Sequence, residues 1–413
     1  MDVPTDELVL TLNLGSGTIE GAAYAFEHIR AGTDPGHERV WELDVVRHTD
    51  PARVTVRGRE RERSWNVPDA TPESLAAAIT TLWHGPTAVI DRPGAVVAVG
   101  HRIVHGGTEP GPRKLTDDVR STIEQLGRYA PLHNPPAIEL VDAISRLLPA
   151  ATPVAVFDTS FHTTMPVEAT AYGGPISWID RGLRRYGFHG ISHHDAAARA
   201  ADVLGEPLED LGLVTVHLGG GCSVTAVRRG MSVDTTMGLT PTDGLVMATR
   251  SGSIDPGLIL YLLRHDGLDV DELESLVNLK SGLLGLTGGA SGDIGDVHQR
   301  ATDGDRSAQL AEAVYVRRIV GEIARVRTSL DQFDALVFTG SAVERRAWLR
   351  ATVVEGVAHL GTEIDPRRNE TVSGDVDVST DRSPTRVVCI DSDEPLAIAR
   401  ATVQLINDQP PPR

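Results

Sequence analysis

The chain has 413 residues and a formal net charge of −18, long enough for two domains and too acidic for sequence-independent nucleic-acid binding or adhesion to an anionic membrane. No run of eighteen apolar residues occurs, and the opening MDVPTDELVL lacks the basic start of a secretory signal. Two cysteines, Cys222 and Cys389, are too few for a disulfide framework, so a cytoplasmic protein with buried free thiols is expected.

In chain order, LTLNLGSGTIEGAAYAF (10–26) reads as two strands around a glycine turn. Small residues at Gly15-Ser16-Gly17-Thr18 suit close approach of backbone N–H groups to a phosphate, yet Glu20 follows where a cation would complete such a site. VVAVGHRIVHGG (96–107) and TPVAVFDTSFHTTMP (152–166) read as buried strands ending in polar residues, where α/β folds place their chemistry. DDVRSTIEQLGRYA and PAIELVDAISRLL, the latter entered through Pro135-Pro136, read as helices. VTVHLGGGCSVTAVRRG (214–230) superimposes on the first hairpin, with His217-Leu218-Gly219 matching Asn13-Leu14-Gly15. Two such hairpins predict a duplicated domain. Residues 335–357 read as strand, glycine turn and helix, 366–385 as a loop or edge hairpin, and 386–406 as strand, acidic turn and helix, before a frayed QPPPR tail.

GHRIVHGG, PLHNPP, FDTSFH, YGFHGISHH, HLGGGCS, GLTPTDGLVMATRSGSIDP and DEPLAIAR occur in one order along the chain. In this the sequence resembles the acetate and propionate kinase family nearly end to end. The resemblance implies two duplicated α/β domains of the ribonuclease H-like, actin/hexokinase type, closing over an active-site cleft. The implied domains are residues 1–161 with 395–413, and residues 162–394.

The chemistry implied is reversible phosphoryl transfer from ATP to a short-chain carboxylate, acetate or propionate, in a homodimer dependent on Mg2+ or Mn2+. Two anions must meet in that reaction, so positive charge and in-line positioning are required, whereas an ionised carboxylate needs no general base. Arg102 and Arg250, each at the end of a strand-like run, could hold the acid and the phosphoryl group in flight. The resemblance assigns them those roles, makes His189 the transition-state histidine and Asp158 the catalytic aspartate, and gives magnesium to Asn13 and Glu394. It assigns the acid's alkyl pocket to Val104, Leu132, Phe188 and Pro241, and the donor phosphates to Ser16, Thr18, His217, Gly219, Gly220, Gly221 and Asp293. His189, His193 and His194 have zinc-like spacing, but no cysteine or nearby carboxylate completes a set. His133 reads as a support through hydrogen bonds.

Four departures from the family pattern fall on the donor side. Glu20 stands for a lysine, Gly220 for an asparagine, Gly292-Asp293-Ile294-Gly295 for an N-D-F-R segment, and Gly340–Arg345 for A-G-I-G-E-N. The same chemistry with pyrophosphate or another nucleoside triphosphate is therefore an alternative, as is a non-catalytic regulator that binds the acid or its acyl phosphate. For Glu20 the sequence offers solvent exposure, an arginine partner such as Arg345, or an extra cation.

Overall fold

Alternating polarity builds the first hairpin: β1 (Leu8–Leu14) and β2 (Thr18–Ala25) pair antiparallel, with Asn13 directly opposite Glu20. The computed structural model describes residues 7–15, 18–32, 39–46, 51–58 and 61–408; Ser16, Gly17 and the QPPPR tail lie outside them. The chain divides into two compact units, one running to Ser160 and taken up again from Asp393, the other Phe161–Ser392. Glu394 thus falls in the first unit.

In the first unit β3 (Trp41–Val46), β4 (Ala52–Gly58) and β5 (Arg61–Val67) extend the hairpin as an antiparallel meander. On the other side of β1 lie β6 (Val96–Ile103) and β8 (Thr152–Phe157), both parallel to it, and β7 (Arg113–Lys114) closes the edge. The resulting sheet order is β5-β4-β3-β2-β1-β6-β8-β7. Side chains alternate across a strand. Leu8, Leu10 and Leu12 therefore enter one core, with Leu75, Ile79, Leu140 and Ile144 from helices Pro72–Ile79 and Asn134–Leu147. Val9, Ala22, Tyr24 and Ala98 face the other way, against Leu396, Ala399 and Val403 of helix Glu394–Asn407. That helix packs closely because β6 offers Gly100, where a Cβ would stand 2.3 Å from Thr402 Oγ1.

The second unit repeats the plan. Strands β9 (Gly212–Leu218), β10 (Cys222–Arg228) and β11 (Met231–Thr235) form an antiparallel run. Next to β9, β12 (Ala335–Thr339) and β14 (Arg386–Cys389) are parallel, with β13 (Val376–Asp377) at the edge. The order is β11-β10-β9-β12-β14-β13, matching β3-β2-β1-β6-β8-β7. The duplication read from the two glycine hairpins is thus present in sheet topology. Helix Gly190–Leu204 covers one face through Ala196, Ala197 and Ala200 against Leu213, Val227 and Val337. Residues 366–385 contain a short helix, Pro366–Glu370, and the edge strand β13.

Cys222 and Cys389 are both free and buried, and burial pushes their thiols up to about 11 and about 12. Among the described residues no helix is long and apolar enough to cross a membrane.

Candidate active site

The parity that sends Val9 toward helix Glu394–Asn407 also places Thr11 and Asn13 on that face. β6 contributes Arg102 to the same face, two residues beyond Gly100. Arg102 donates through Nε and Nη2 to Asp158 Oδ1 and Oδ2 at 3.0 and 2.7 Å, a two-point ion pair. Its Nη1 donates to Asn13 Oδ1 at 2.9 Å and stands 3.5 Å from Glu394 Oε2. Asn13 Nδ2 donates to Glu394 Oε2 at 2.8 Å. Burial alone would depress the Arg102 guanidinium, but Asp158 and Glu394 beside it outweigh that and hold it above its ordinary value. Asp158, at the end of β8, is fully buried.

Helix geometry brings Glu394 to this cluster. Asp393 caps the helix by accepting from Leu396 N at 2.9 Å, and Arg39 Nη2 holds the same Asp393 Oδ1 at 2.9 Å. The Glu20 carboxylate also turns inward: Asn13 Nδ2 lies 3.4 Å from its Oε2. This departs from the solvent-facing expectation, and the partner is Asn13, not Arg345. Register explains it, because a residue directly opposite Asn13 shares its face. Burial, then the Glu394 and Asp44 carboxylates, raise Glu20 above its ordinary value.

In the second unit the equivalent hairpin carries His217 directly opposite Ser223. His189 caps helix Gly190–Leu204 in the left-handed region, at φ 56°, unusual for a side chain other than glycine. Its Nδ1 meets Ser223 Oγ at 2.8 Å, and Ser223 Oγ meets His193 Nε2 at 2.8 Å. His193 Nδ1 in turn meets Thr215 Oγ1 at 2.8 Å, so both its ring nitrogens are engaged by hydroxyls. Burial, with His162 and His217 nearby, keeps His193 well below the usual histidine range and therefore neutral. His217 Nδ1 meets Ser192 Oγ at 2.8 Å, and its ring lies 4.4 Å from that of His189.

Arg250 Nη1 donates to Pro241 O at 3.1 Å. Gly221 shows how close Arg250 and His189 come: a Cβ there would stand 3.0 Å from His189 Nε2 and 3.7 Å from Arg250 Nη1. The β9–β10 turn is closed by Gly219 N donating to Gly221 O at 2.9 Å, while Gly220 O accepts from Ala248 N. In the first hairpin, Gly15 N donates to Thr18 O at 2.9 Å.

The remaining positions divide between the units. Val104 is buried and Leu132 about half exposed in the first, while Phe188 and Pro241 are buried in the second. Asp293 caps helix Ile294–Thr302 through Gly295 N and Asp296 N, and both its oxygens receive Arg346 Nη2 at 3.1 Å. A Cβ on Gly295 would stand 2.5 Å from that nitrogen; the guanidinium of Arg346 occupies the space that glycine leaves. Glu344 accepts from Gly340 N and Ser392 N, tying the altered 340–345 loop down.

The sequence reading did not single out Asn134. Fully buried at the start of its helix, it accepts from His105 N at 3.1 Å and donates to His105 O at 3.0 Å and Ile123 O at 3.1 Å. It clamps the loop that follows Arg102, beside His133 at the helix N-cap. Ser223 and Thr215 were also not singled out, because their importance lies in what they touch across strands.

A sequence profile of the acetokinase family matches residues 8–400. The acetate kinase of Synechococcus sp. (strain JA-2-3B'a(2-13)) is 40% identical over 407 residues, covering 97% of this chain and 100% of that one. The acetate kinase of Gloeobacter violaceus is 40% identical over 397 residues, 95% of this chain and 98% of its own. Among solved structures, a propionate kinase from Francisella tularensis superposes with TM-score 0.87 at 32% identity, covering 96% of this chain and 99% of that one. Porphyromonas gingivalis acetate kinase gives 0.86 at 30% identity, covering 97% and 100%. The duplicated sheets are those of the actin/hexokinase-like fold, and the chain belongs to the acetokinase family.

Proposed function

We propose that the protein reversibly transfers the terminal phosphoryl group of ATP to a short-chain carboxylate, acetate or propionate, to give an acyl phosphate in the cytoplasm. The observation that carries this reading is the half-buried Arg102, paired at two points with Asp158 and joined through Asn13 to Glu394. A fixed guanidinium of this kind suits an anionic acceptor and a phosphoryl group whose charge spreads in flight. The acceptor attacks as the carboxylate, so no proton need be removed. We assign His189 and Arg250, which converge beside Gly221, to the same reaction as hydrogen-bond donors to the phosphoryl oxygens. Val104, Leu132, Phe188 and Pro241 are assigned to the acid's alkyl group. Thr18, His217, Gly219, Gly220, Gly221 and Asp293, with Ser16, are assigned to the donor.

The donor set at Asn13 and Glu394 is oxygen-rich. Hard oxygen ligands fit Mg2+ or Mn2+, and a cation held there would offset the charge of the phosphates. Asn13 supports that role as an oriented amide, its Oδ1 fixed by Arg102.

The test is acyl phosphate formation with ATP, GTP and pyrophosphate, each with acetate and propionate. ATP is expected to serve as donor; no product with any of the three would overturn the reading and favour a binding protein. Arg102→Ala and Arg250→Ala are expected to reduce kcat far more than they weaken nucleotide binding.

A homodimer is proposed as well. Ile254, Leu258, Leu260, Tyr261, Val270 and Leu279 are exposed apolar side chains on and around helices Pro256–His265 and Val270–Leu279, the kind of surface a second copy would cover. Light scattering at twice the 44.2 kDa chain mass is the expected result.

A further inference from the structure

Cross-strand register decides where Glu20 points. It stands directly opposite Asn13 on β1 and directly opposite Asp44 on β3, and directly paired residues of a sheet share a face. Glu20 and Glu394 converge on one neutral amide, Asn13 Nδ2, at 3.4 and 2.8 Å, with the Asp44 carboxylate in the next strand. Nearby cations make their direct ion pairs elsewhere. Arg102 holds Asp158 and Asn13. Arg39 holds Asp393 and Glu42, and Arg57 holds Asp44, Glu42 and Glu62. Among the described residues no ion pair reaches Glu20 itself. A half-buried carboxylate is thus kept on the face of the site with no direct ion pair among the described residues, Arg102 and Arg39 acting on it only through space.

We infer that Glu20 is a specificity-determining residue for the phosphoryl donor: its charge makes the enzyme take the donor as a divalent-metal complex and disfavour the metal-free anion. The inference rests on the phosphotransferase reading above. A metal-free triphosphate brings several negative charges toward Glu20 and Glu394, and only part of that charge remains once a divalent cation is bound. One like-charge contact at about 6 Å in a half-exposed site corresponds to about tenfold in affinity.

The experiment is calorimetric titration of the whole protein with ATP, once in chelator and once with saturating Mg2+, in the absence of any carboxylate. It compares wild type with Glu20→Gln, which removes the charge, and Glu20→Asp, which keeps it. Glu20→Gln is expected to bind metal-free ATP about tenfold more tightly than wild type and Mg-ATP less than about threefold more tightly; Glu20→Asp is expected to keep the wild-type ratio. The inference is overturned if wild type and Glu20→Gln show the same ratio of metal-free to metal-bound affinity. Glu20→Lys, which shifts the ratio further in the same direction, replaces the glutamine variant should that one not fold. A wild type that binds ATP with the expected ratio yet forms no acyl phosphate contradicts the phosphotransferase reading and supports the role of Glu20 in binding. A wild type that binds no ATP under either condition overturns both.

Discussion

Ser223→Ala removes one oxygen atom and is expected to impair turnover more than it impairs folding. Ser223 is fully buried, and its hydroxyl lies 2.8 Å from both His189 Nδ1 and His193 Nε2. His193 is neutral and carries a single ring proton, and its other nitrogen meets Thr215 Oγ1. The hydroxyl therefore couples the proton position on His193 to that on His189, and fixes the ring of a residue held at φ 56°. Alanine creates almost no cavity but takes one hydrogen-bond partner from the ring nitrogens of both His189 and His193, a loss of about 1–3 kcal/mol in stability. Releasing the His189 ring displaces a donor whose placement within about 1 Å is worth about 100-fold in rate. The expected result is a fall in kcat of about 10- to 100-fold, with KM for the carboxylate little changed. Steady-state kinetics gives this split, and nitrogen NMR of the imidazoles reports whether the His189 tautomer distribution changes. Turnover within about twofold of wild type, alongside the stability loss, would refute the positioning role.

Asp158→Asn takes the two-point carboxylate partner from Arg102 and leaves it only the longer carboxylate contact with Glu394; breaking a buried pair costs about 3–5 kcal/mol, so a loss toward the lower end is expected, and a chemical-denaturation midpoint close to wild type would refute it. Acid stability follows from three buried histidines: burial holds His162 down at about 4, His101 at about 3 and His193 well below 6.5. Below about pH 6.5 the unfolded chain binds protons that the folded one does not, so stability is full above that pH and falls as pH drops toward the folded values. The loss between pH 7 and 5.5 is about 1 kcal/mol per histidine; urea unfolding at the two pH values measures it, and His162→Gln should remove one share. Arg346→Ala breaks an exposed contact with Asp293 and should change stability by less than about 1 kcal/mol. Calorimetry with ATP and thermal unfolding of the same sample would test whether any effect is confined to nucleotide binding.

The amino-acid sequence by itself determined the duplication and most of the elements that carry the site. Period-two alternation around Gly15 and Gly219 needs only local chemistry to become a hairpin. Buried strands ending in Arg102 and Asp158 are legible for the same reason. The sheet extension through β3, β4 and β5 was not, because edge strands such as Arg61–Val67, largely exposed, lack a strong apolar signal. Tertiary structure alone decided who meets whom. Asn13 and Glu394 lie 381 residues apart and meet because Gly100 lets the last helix settle onto β6. Ser223, Thr215 and Asn134 look like ordinary polar residues until the fold buries their hydroxyl and amide groups against histidine rings and loop backbone. Arg346 reaches across 53 positions to Asp293 over a glycine, a substitution of place that no linear motif records. Glu20 sums up the division. Its identity is plain in the sequence, but its direction follows from register: opposite Asn13 it must face the site, and one residue of slip would have turned it to the other face.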